Sequence, residues 1–224
     1  MVFYPLHVVP SSVNQKVGPC ATTYRPVGDS AKGEGTCPSD CPHLDVDCYA
    51  QEGRSNLWQM RSVGMHHVVA DLAKRDARFI RLQTTGDFYK PDGLGGYTTD
   101  LEYVDDVIAF CKANPHRFVW TYTHDIRRFV ADTGLSYIAG NIPPNFFLLA
   151  STEDDETKAW AHAHGFRTAR VIKTEPERAS DEIFCPYDRA LHHGKTGKEI
   201  SVRCVTCQLC WKAPEGKHIA FLQH

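Results

Sequence analysis

The chain has 224 residues, 42% of them hydrophobic and 23% charged, with a formal net charge of −2 at pH 7. That composition is ordinary for a globular protein with a core of useful size, and the near-neutral balance gives no global basic footprint for a nucleic acid. The opening MVFYPLHVVPSSV lacks a basic leader and its apolar run is cut by prolines, so neither a signal peptide nor a membrane span is expected, and the expected compartment is the cytoplasm.

Residues 1–20 read as a loosely structured entry. Cys20 to Tyr24 is short and β-prone, and Arg25-Pro26-Val27-Gly28 stops it, which predicts a first strand. A glycine-rich passage from Gly28 to Gly35 leads into CPSDCPHLDVDCY, whose cysteines are spaced Cys37-x3-Cys41-x6-Cys48 before Tyr49. Ordering such a loop costs about 1–2 kcal/mol per backbone residue, so three gathered thiols imply a bound metal or cluster.

Leu57, Met60, Val63, Val68, Val69 and Leu72 recur near helical spacing and predict an amphipathic helix over Ser55–Lys74. Ala77 to Gln83 predicts a strand stopped by Thr84-Thr85-Gly86-Asp87, and Tyr89 to Tyr97 a loop rich in Gly and Pro. Thr99-Asp100-Leu101-Glu102 matches a capping box with Thr99 as N-cap, and Leu101, Val104, Ile108 and Cys111 form the buried stripe of the helix that follows. Arg117 to Thr123 alternates β-branched and aromatic residues as a strand does, and a short helix, Ile126 to Ala131, precedes Gly134. Phe146 to Ser151 is a buried strand, Thr157 to His164 a helix opened by acidic residues, and Arg167 to Lys173 a further strand.

Repeated strand–helix alternation with short connections predicts an α/β fold with right-handed crossovers. About six strands fit, too few for a closed eight-stranded barrel, so the expected architecture is a partial (β/α) barrel of parallel strands over residues 1–175. Residues 176–224 read as a C-terminal cysteine-rich extension packed on that barrel, ending in the apolar Ile219 to Leu222.

Nine cysteines in a reducing compartment favour metal over disulfides. Cys185 with Cys204-x2-Cys207-x2-Cys210 has the spacing of a coordinatively full iron–sulfur site, with four-cysteine zinc as the alternative. Cys37, Cys41 and Cys48 are one ligand short of a cubane, which leaves an iron open; the alternative is a tetrahedral zinc completed by His43. Cys20 and Cys111 read as core. The histidine pairs His66-His67, His192-His193 and His162 with His164 read as solvated or hydrogen-bonded side chains. Tyr122, His124 and Asp125, with Thr123, fall at a strand's carboxyl end, where barrel active sites are built, and are the catalytic candidates.

The motif Cys37-x3-Cys41-x6-Cys48-Tyr49, after a first strand and before a helix, resembles the radical S-adenosylmethionine enzymes, and above all small bacteriophage-encoded proteins of that kind. Cys48-Tyr49-Ala50, Thr85-Gly86-Asp87-Phe88 and the run from Cys204 to Trp211 carry the likeness, over roughly residues 15–224. The family's usual spacing is Cys-x3-Cys-x2-Cys with the aromatic before the third cysteine; here the last gap is longer and Tyr49 follows Cys48.

The resemblance implies a 4Fe-4S cluster on Cys37, Cys41 and Cys48 with S-adenosylmethionine on its open iron, two such clusters in all counting the C-terminal group. Thr85, Gly86 and Asp87 would receive the methionine ammonium, Ser151 and Glu153 the ribose or the methionine carboxylate, and Val171 the adenine. Reductive cleavage would yield a 5′-deoxyadenosyl radical that abstracts hydrogen from a substrate. That substrate would be a small molecule or a nucleic-acid base, such as thymidine in a phage hypermodification pathway of isomerase type. A flavodoxin- or ferredoxin-type electron donor is the implied partner and the host cytoplasm the setting. The competing reading is a non-enzymatic zinc or iron–sulfur protein with a structural, regulatory or electron-transfer role.

Overall fold

A computed structural model describes residues 7–9, 11, 12, 14–48, 50, 51, 72 and 76–223. The helix expected over 55–74 and Tyr49 lie outside these residues, Leu72 apart, which is buried. An eight-stranded sheet is built from β1 (His7–Val9), β2 (Ala21–Tyr24), β3 (Phe79–Arg81), β6 (Phe118–Thr123), β7 (Phe146–Ser151), β8 (Arg167–Ile172), β9 (Glu182–Phe184) and β10 (His218–Leu222). Its order is β1-β2-β3-β6-β7-β8-β10-β9. Only β1 is antiparallel to its neighbour; the other adjacent pairs are parallel.

Chain order and sheet order coincide from β2 to β8, as expected for successive right-handed crossovers. Among the described residues no pairing joins β1 to β9, and the sheet they form is open rather than a closed barrel. The parallel set exceeds the expected six because residues 176–224 insert β10 and β9 into the same sheet.

Both faces of the sheet are covered, which is why its strands read as near-continuous apolar runs. On one face, α1 (Leu101–Ala113), α2 (Ile126–Thr133) and α3 (Asp155–Ala163) bury Val104, Val107, Phe129 and Ala161 against Ile80, Val119 and Leu148. On the other, Trp211 packs against Trp120 at 5.0 Å and Phe147 at 5.8 Å between ring centroids. Trp211 lies in the short helix α6 (Leu209–Lys212), just after α5 (Cys204–Cys207); α4 (Pro186–His192) precedes both.

Three local expectations are corrected. Tyr89 to Tyr97 is a β-hairpin, not a loop: β4 (Tyr89–Pro91) pairs with β5 (Tyr97–Thr99), and Asp92 Oδ1 accepts from the Leu94 and Gly96 amides to make the turn. Thr99 closes β5, so the cap position of α1 falls to Asp100, whose carboxylate is drawn to Arg25 rather than to the helix amides. Leu101 is 45% exposed, and Tyr103, Val107 and Phe110 join Val104, Ile108 and Cys111 in the buried stripe. The α3 cap is Asp154, accepting from the Thr157 amide, which leaves Ser151 and Glu153 outside the helix. No helix among the described residues is long and apolar enough to cross a membrane.

Candidate functional site

The cysteine loop follows β2 and is fastened before its first thiol. Cys37 forms a parallel bridge with Asp29, donating its amide to the Gly28 carbonyl at 3.1 Å while its carbonyl accepts from Ser30 at 3.0 Å. Gly28 and Gly35 cross so closely that a Cβ on Gly35 would stand 2.4 Å from the Gly28 nitrogen, so that crossing excludes a side chain. Ser39 donates to Asp29 at 2.7 Å, and Cys41 and Leu44 close successive turns onto Pro38 and Cys41.

All three thiols of the loop are free, Cys37 buried and Cys41 and Cys48 partly so. Burial raises the Cys37 thiol well above its ordinary range, against a hydrogen bond from the Gly28 backbone. Burial likewise pushes Cys41 up to about 11, with the His43 and Leu44 amides working the other way and the charge of Asp87 adding to the rise. Amide donors aimed at sulfur favour thiolate, the ligating form.

Around this loop stand side chains from the carboxyl ends of three parallel strands. After β3, Asp87 is 1% exposed and accepts from the His124 amide at 2.9 Å and the Phe88 amide at 2.8 Å. After β6, His124 Nδ1 lies 3.4 Å from the same carboxylate, and its ring packs edge-on against His43 of the loop at 6.1 Å. After β7, Glu153 reaches His43 Nε2 at 3.4 Å, while His43 Nδ1 meets Asp47 at 2.8 Å.

Tyr97 ties the loop to the sheet, its hydroxyl set between Asp40 at 3.0 Å and Asp125 at 2.7 Å. Asp125 also caps α2 through the Arg128 amide and accepts from the Tyr89 hydroxyl on its carbonyl, so its contacts organise the backbone. Asp87, His124 and Glu153 are therefore brought to the loop, and Asp125 is joined to it through Tyr97.

Thr85 and Gly86 lie behind this group. The Thr85 hydroxyl donates to the Arg25 carbonyl at 3.0 Å, and Gly86, at φ +77°, is packed against Thr36 and Arg25. Arg25 is fully buried; its Nη1 donates to the Asp87 carbonyl at 2.9 Å and its Nη2 to Asp100 at 2.6 Å. Ser151 ends β7 half-buried, and Val171 is 40% exposed on β8, paired in register with Phe221 of β10.

Tyr122 parts company with His124 and Asp125. It sits within β6 on the face it shares with Phe118 and Trp120, where its hydroxyl meets Cys210 Sγ at 3.3 Å, whereas His124 and Asp125 follow the end of the strand. Cys185, Cys204, Cys207 and Cys210 line one cavity of about 20 Å³ there, shared with Trp211, Ile219 and Phe221. Burial raises Cys185 to about 12 and drives Cys204 further up. Cys20 packs in the same apolar cluster, Cys111 in the helical core, as expected of both. Among the described residues no three His, Cys, Asp or Glu side chains converge on one point as metal ligands do.

Sequence reasoning passed over Tyr97, Arg25 and Arg81. Arg81 had a readable signal: it lies on β3 at a position whose register neighbour on β6 is Trp120, the face that also carries Tyr122. Tyr97, in a hairpin read as loop, had none.

A family model described as Gene product 88, a family of phage type, matches residues 57–213; no radical S-adenosylmethionine family model does. No curated protein and no solved structure matches the chain.

Proposed function

We propose that this chain, which belongs to the Gene product 88 family, is an iron–sulfur enzyme of radical S-adenosylmethionine type whose open cluster is held by Cys37, Cys41 and Cys48. The observation that carries the reading is Asp87. Its carboxylate is 1% exposed beside the three-thiol loop, yet among the described residues no lysine or arginine pairs with it. Arg25, the nearest candidate, bonds the Asp87 backbone carbonyl and gives its other arm to Asp100. An ionised carboxylate buried without a cation is costly, and the ammonium of an amino-acid moiety placed on an open iron supplies one.

The donor set fits a cluster. Three free thiols gather in one loop, and no disulfide competes among the described residues. A zinc completed by His43 fits less well, because Asp47 and Glu153 already engage the two nitrogens of that ring. When bound, the cluster and S-adenosylmethionine supply reductive cleavage and hydrogen abstraction.

The chain's own part is binding and orientation. Asp87 receives the ammonium, and the His124 amide holds that carboxylate in place. Glu153 fixes His43 and with it the rim of the loop. Tyr97 clamps Asp40 of the loop to Asp125, the cap of α2, which holds the loop against the carboxyl edge of the sheet. The proposed substrate is a small molecule or nucleic-acid base, a thymidine-type base in a phage isomerase reaction being the specific form, and the electron donor is a flavodoxin or ferredoxin.

The test is anaerobic reconstitution with iron and sulfide, then dithionite and S-adenosylmethionine, with 5′-deoxyadenosine as the readout. Turnover that disappears in Cys48→Ala, and falls in Asp87→Asn with iron content unchanged, is expected. A reconstituted protein that holds loop iron and releases no 5′-deoxyadenosine, with or without base substrates, refutes the enzyme reading.

A further inference from the structure

The face of the sheet away from the helices carries a group of side chains that the proposed reaction does not use. Four thiols, Cys185, Cys204, Cys207 and Cys210, line a cavity of about 20 Å³. Four cysteine thiols on one cavity are the donor set of a closed, tetrahedral divalent site.

The surroundings of the cavity are short of negative charge. Arg81 sets its guanidinium 4.3 Å over the Tyr122 ring, and its Nη1 is buried with no hydrogen-bond partner. Trp211, which lines the cavity, has a buried indole N–H in the same condition. The Tyr122 hydroxyl lies 3.3 Å from Cys210 Sγ. Lys16 is already matched, its Nζ 2.7 Å from Asp188. No carboxylate pairs with Arg81 among the described residues, so a cation and two donors surround thiols that, as thiols, offer them only weak acceptors.

We propose that Cys185, Cys204, Cys207 and Cys210 bind one thiophilic divalent cation of the zinc class, with Arg81 and Tyr122 as positioning residues that offset the charge of the tetrathiolate. On binding, the four thiols release their protons to solvent and turn inward from the cavity wall to the ion, giving a site of net charge −2. Tyr122 then donates to the Cys210 thiolate, and Arg81 stands as the counter-cation.

Binding at this site also fastens a strap. The Cys204 amide donates to the Lys16 carbonyl at 2.9 Å and the Val205 amide to that of Val17 at 3.3 Å. Gly18 lies so close beneath Val205 that an added Cβ would come within 2.9 Å of it. Locking α5 onto an ion thus locks residues 14–18 across the sheet face. The inference does not rest on the loop cluster, because zinc and iron are counted separately.

The experiment uses the full chain with Cys37, Cys41 and Cys48 replaced by serine, purified anaerobically and titrated with Co²⁺ alone. Intense thiolate-to-cobalt and tetrahedral d–d absorption, saturating at a single equivalent and displaced by Zn²⁺, is expected. Cys207→Ser with Cys210→Ser abolishes the bands; Cys111→Ala leaves them. Arg81→Met weakens Co²⁺ binding by about 10–100-fold and Arg81→Lys restores most of it.

Since the serine variants risk misfolding, alkylation of the wild-type chain is followed by mass spectrometry with and without Zn²⁺. Zn²⁺ should protect Cys185, Cys204, Cys207 and Cys210, and a chelator should reverse the protection. Iron and sulfide retained in the triple-serine protein, or alkylation of these four residues unchanged by Zn²⁺, overturns the single-ion site. Arg81→Met binding Co²⁺ as tightly as the parent overturns the role given to Arg81.

Discussion

Replacing Asp100 with alanine tests how the carboxyl edge of the sheet is held. The Arg25 side chain is wholly inaccessible, its Nη2 2.6 Å from Asp100 Oδ2 and its guanidinium 4.1 Å over the Tyr103 ring. Asp100 keeps 11% of its side chain exposed and lies 3.5 Å from Lys90. Alanine there leaves a guanidinium in the interior facing a methyl group, a change that costs about 3–5 kcal/mol. At about 2–4 °C per kcal/mol for a chain of this size, the melting temperature should fall by about 6–20 °C, read by circular dichroism. Arg25→Met with Asp100→Ala removes the charge along with its partner and should cost less than Asp100→Ala alone. Because Arg25 also holds the Asp87 carbonyl, Asp100→Ala should reduce 5′-deoxyadenosine formation below its melting transition as well. A loss under about 1 kcal/mol would mean that the pair behaves as a solvated one, and the reasoning would fail.

Gly86→Ala should destabilise by at least about 1–3 kcal/mol, since φ is +77° and the new methyl would meet Thr36 Oγ1 at 2.6 Å; a urea midpoint equal to the parent's would contradict this. Trp211→Ala should cost about 3–5 kcal/mol and flatten the near-ultraviolet dichroism, because the indole packs on Trp120 and Phe147. His218 donates to or accepts from Thr168 at 2.8 Å, and burial, then the Lys158 ammonium, lower its pKa from 6.5. Its unfolded form therefore takes up the proton first, so this contribution is fully present above pH 6.5 and is lost as pH falls below it, at up to about 1.4 kcal/mol per pH unit. Urea midpoints at pH 7.5 and 5.5 should draw closer in His218→Asn; equal pH sensitivity in both proteins would remove His218 from the account.

Strands β2, β3, β6, β7 and β8 were legible to within a residue or two because each is a short apolar run buried on both faces and bounded by turn formers. The hairpin of β4 and β5 was hidden, since its Asp92-Gly93-Leu94-Gly95-Gly96 turn has the composition of any loop. Thr99 and Asp100 show a different limit: both are acceptable caps, and the choice was settled by Arg25, distant in sequence. The site was legible as a place more than as a set of contacts. The carboxyl end of a strand located His124, and the resemblance pointed to Asp87 and Glu153, but the link from Glu153 to His43 and the clamp by Tyr97 depend on loop conformation. Tyr122 was grouped with His124 because alternation alone would set both on the face of Trp120; the strand ends at Thr123, and the chain beyond it carries His124 to Asp87.

The insertion of β10 between β8 and β9 has a consequence for the order in which the fold can assemble. β9 precedes β10 along the chain yet pairs in the sheet with β10 alone, so it has nowhere to dock until the later strand arrives. Until then β8 presents an unpaired edge, a template for pairing with another chain. During synthesis, the segment from β2 to β8 can form its neighbouring pairs as it emerges, while Cys185, just after β9, stays apart from Cys204, Cys207 and Cys210. Completion of the sheet and assembly of the four-thiol cavity are thereby a single late event.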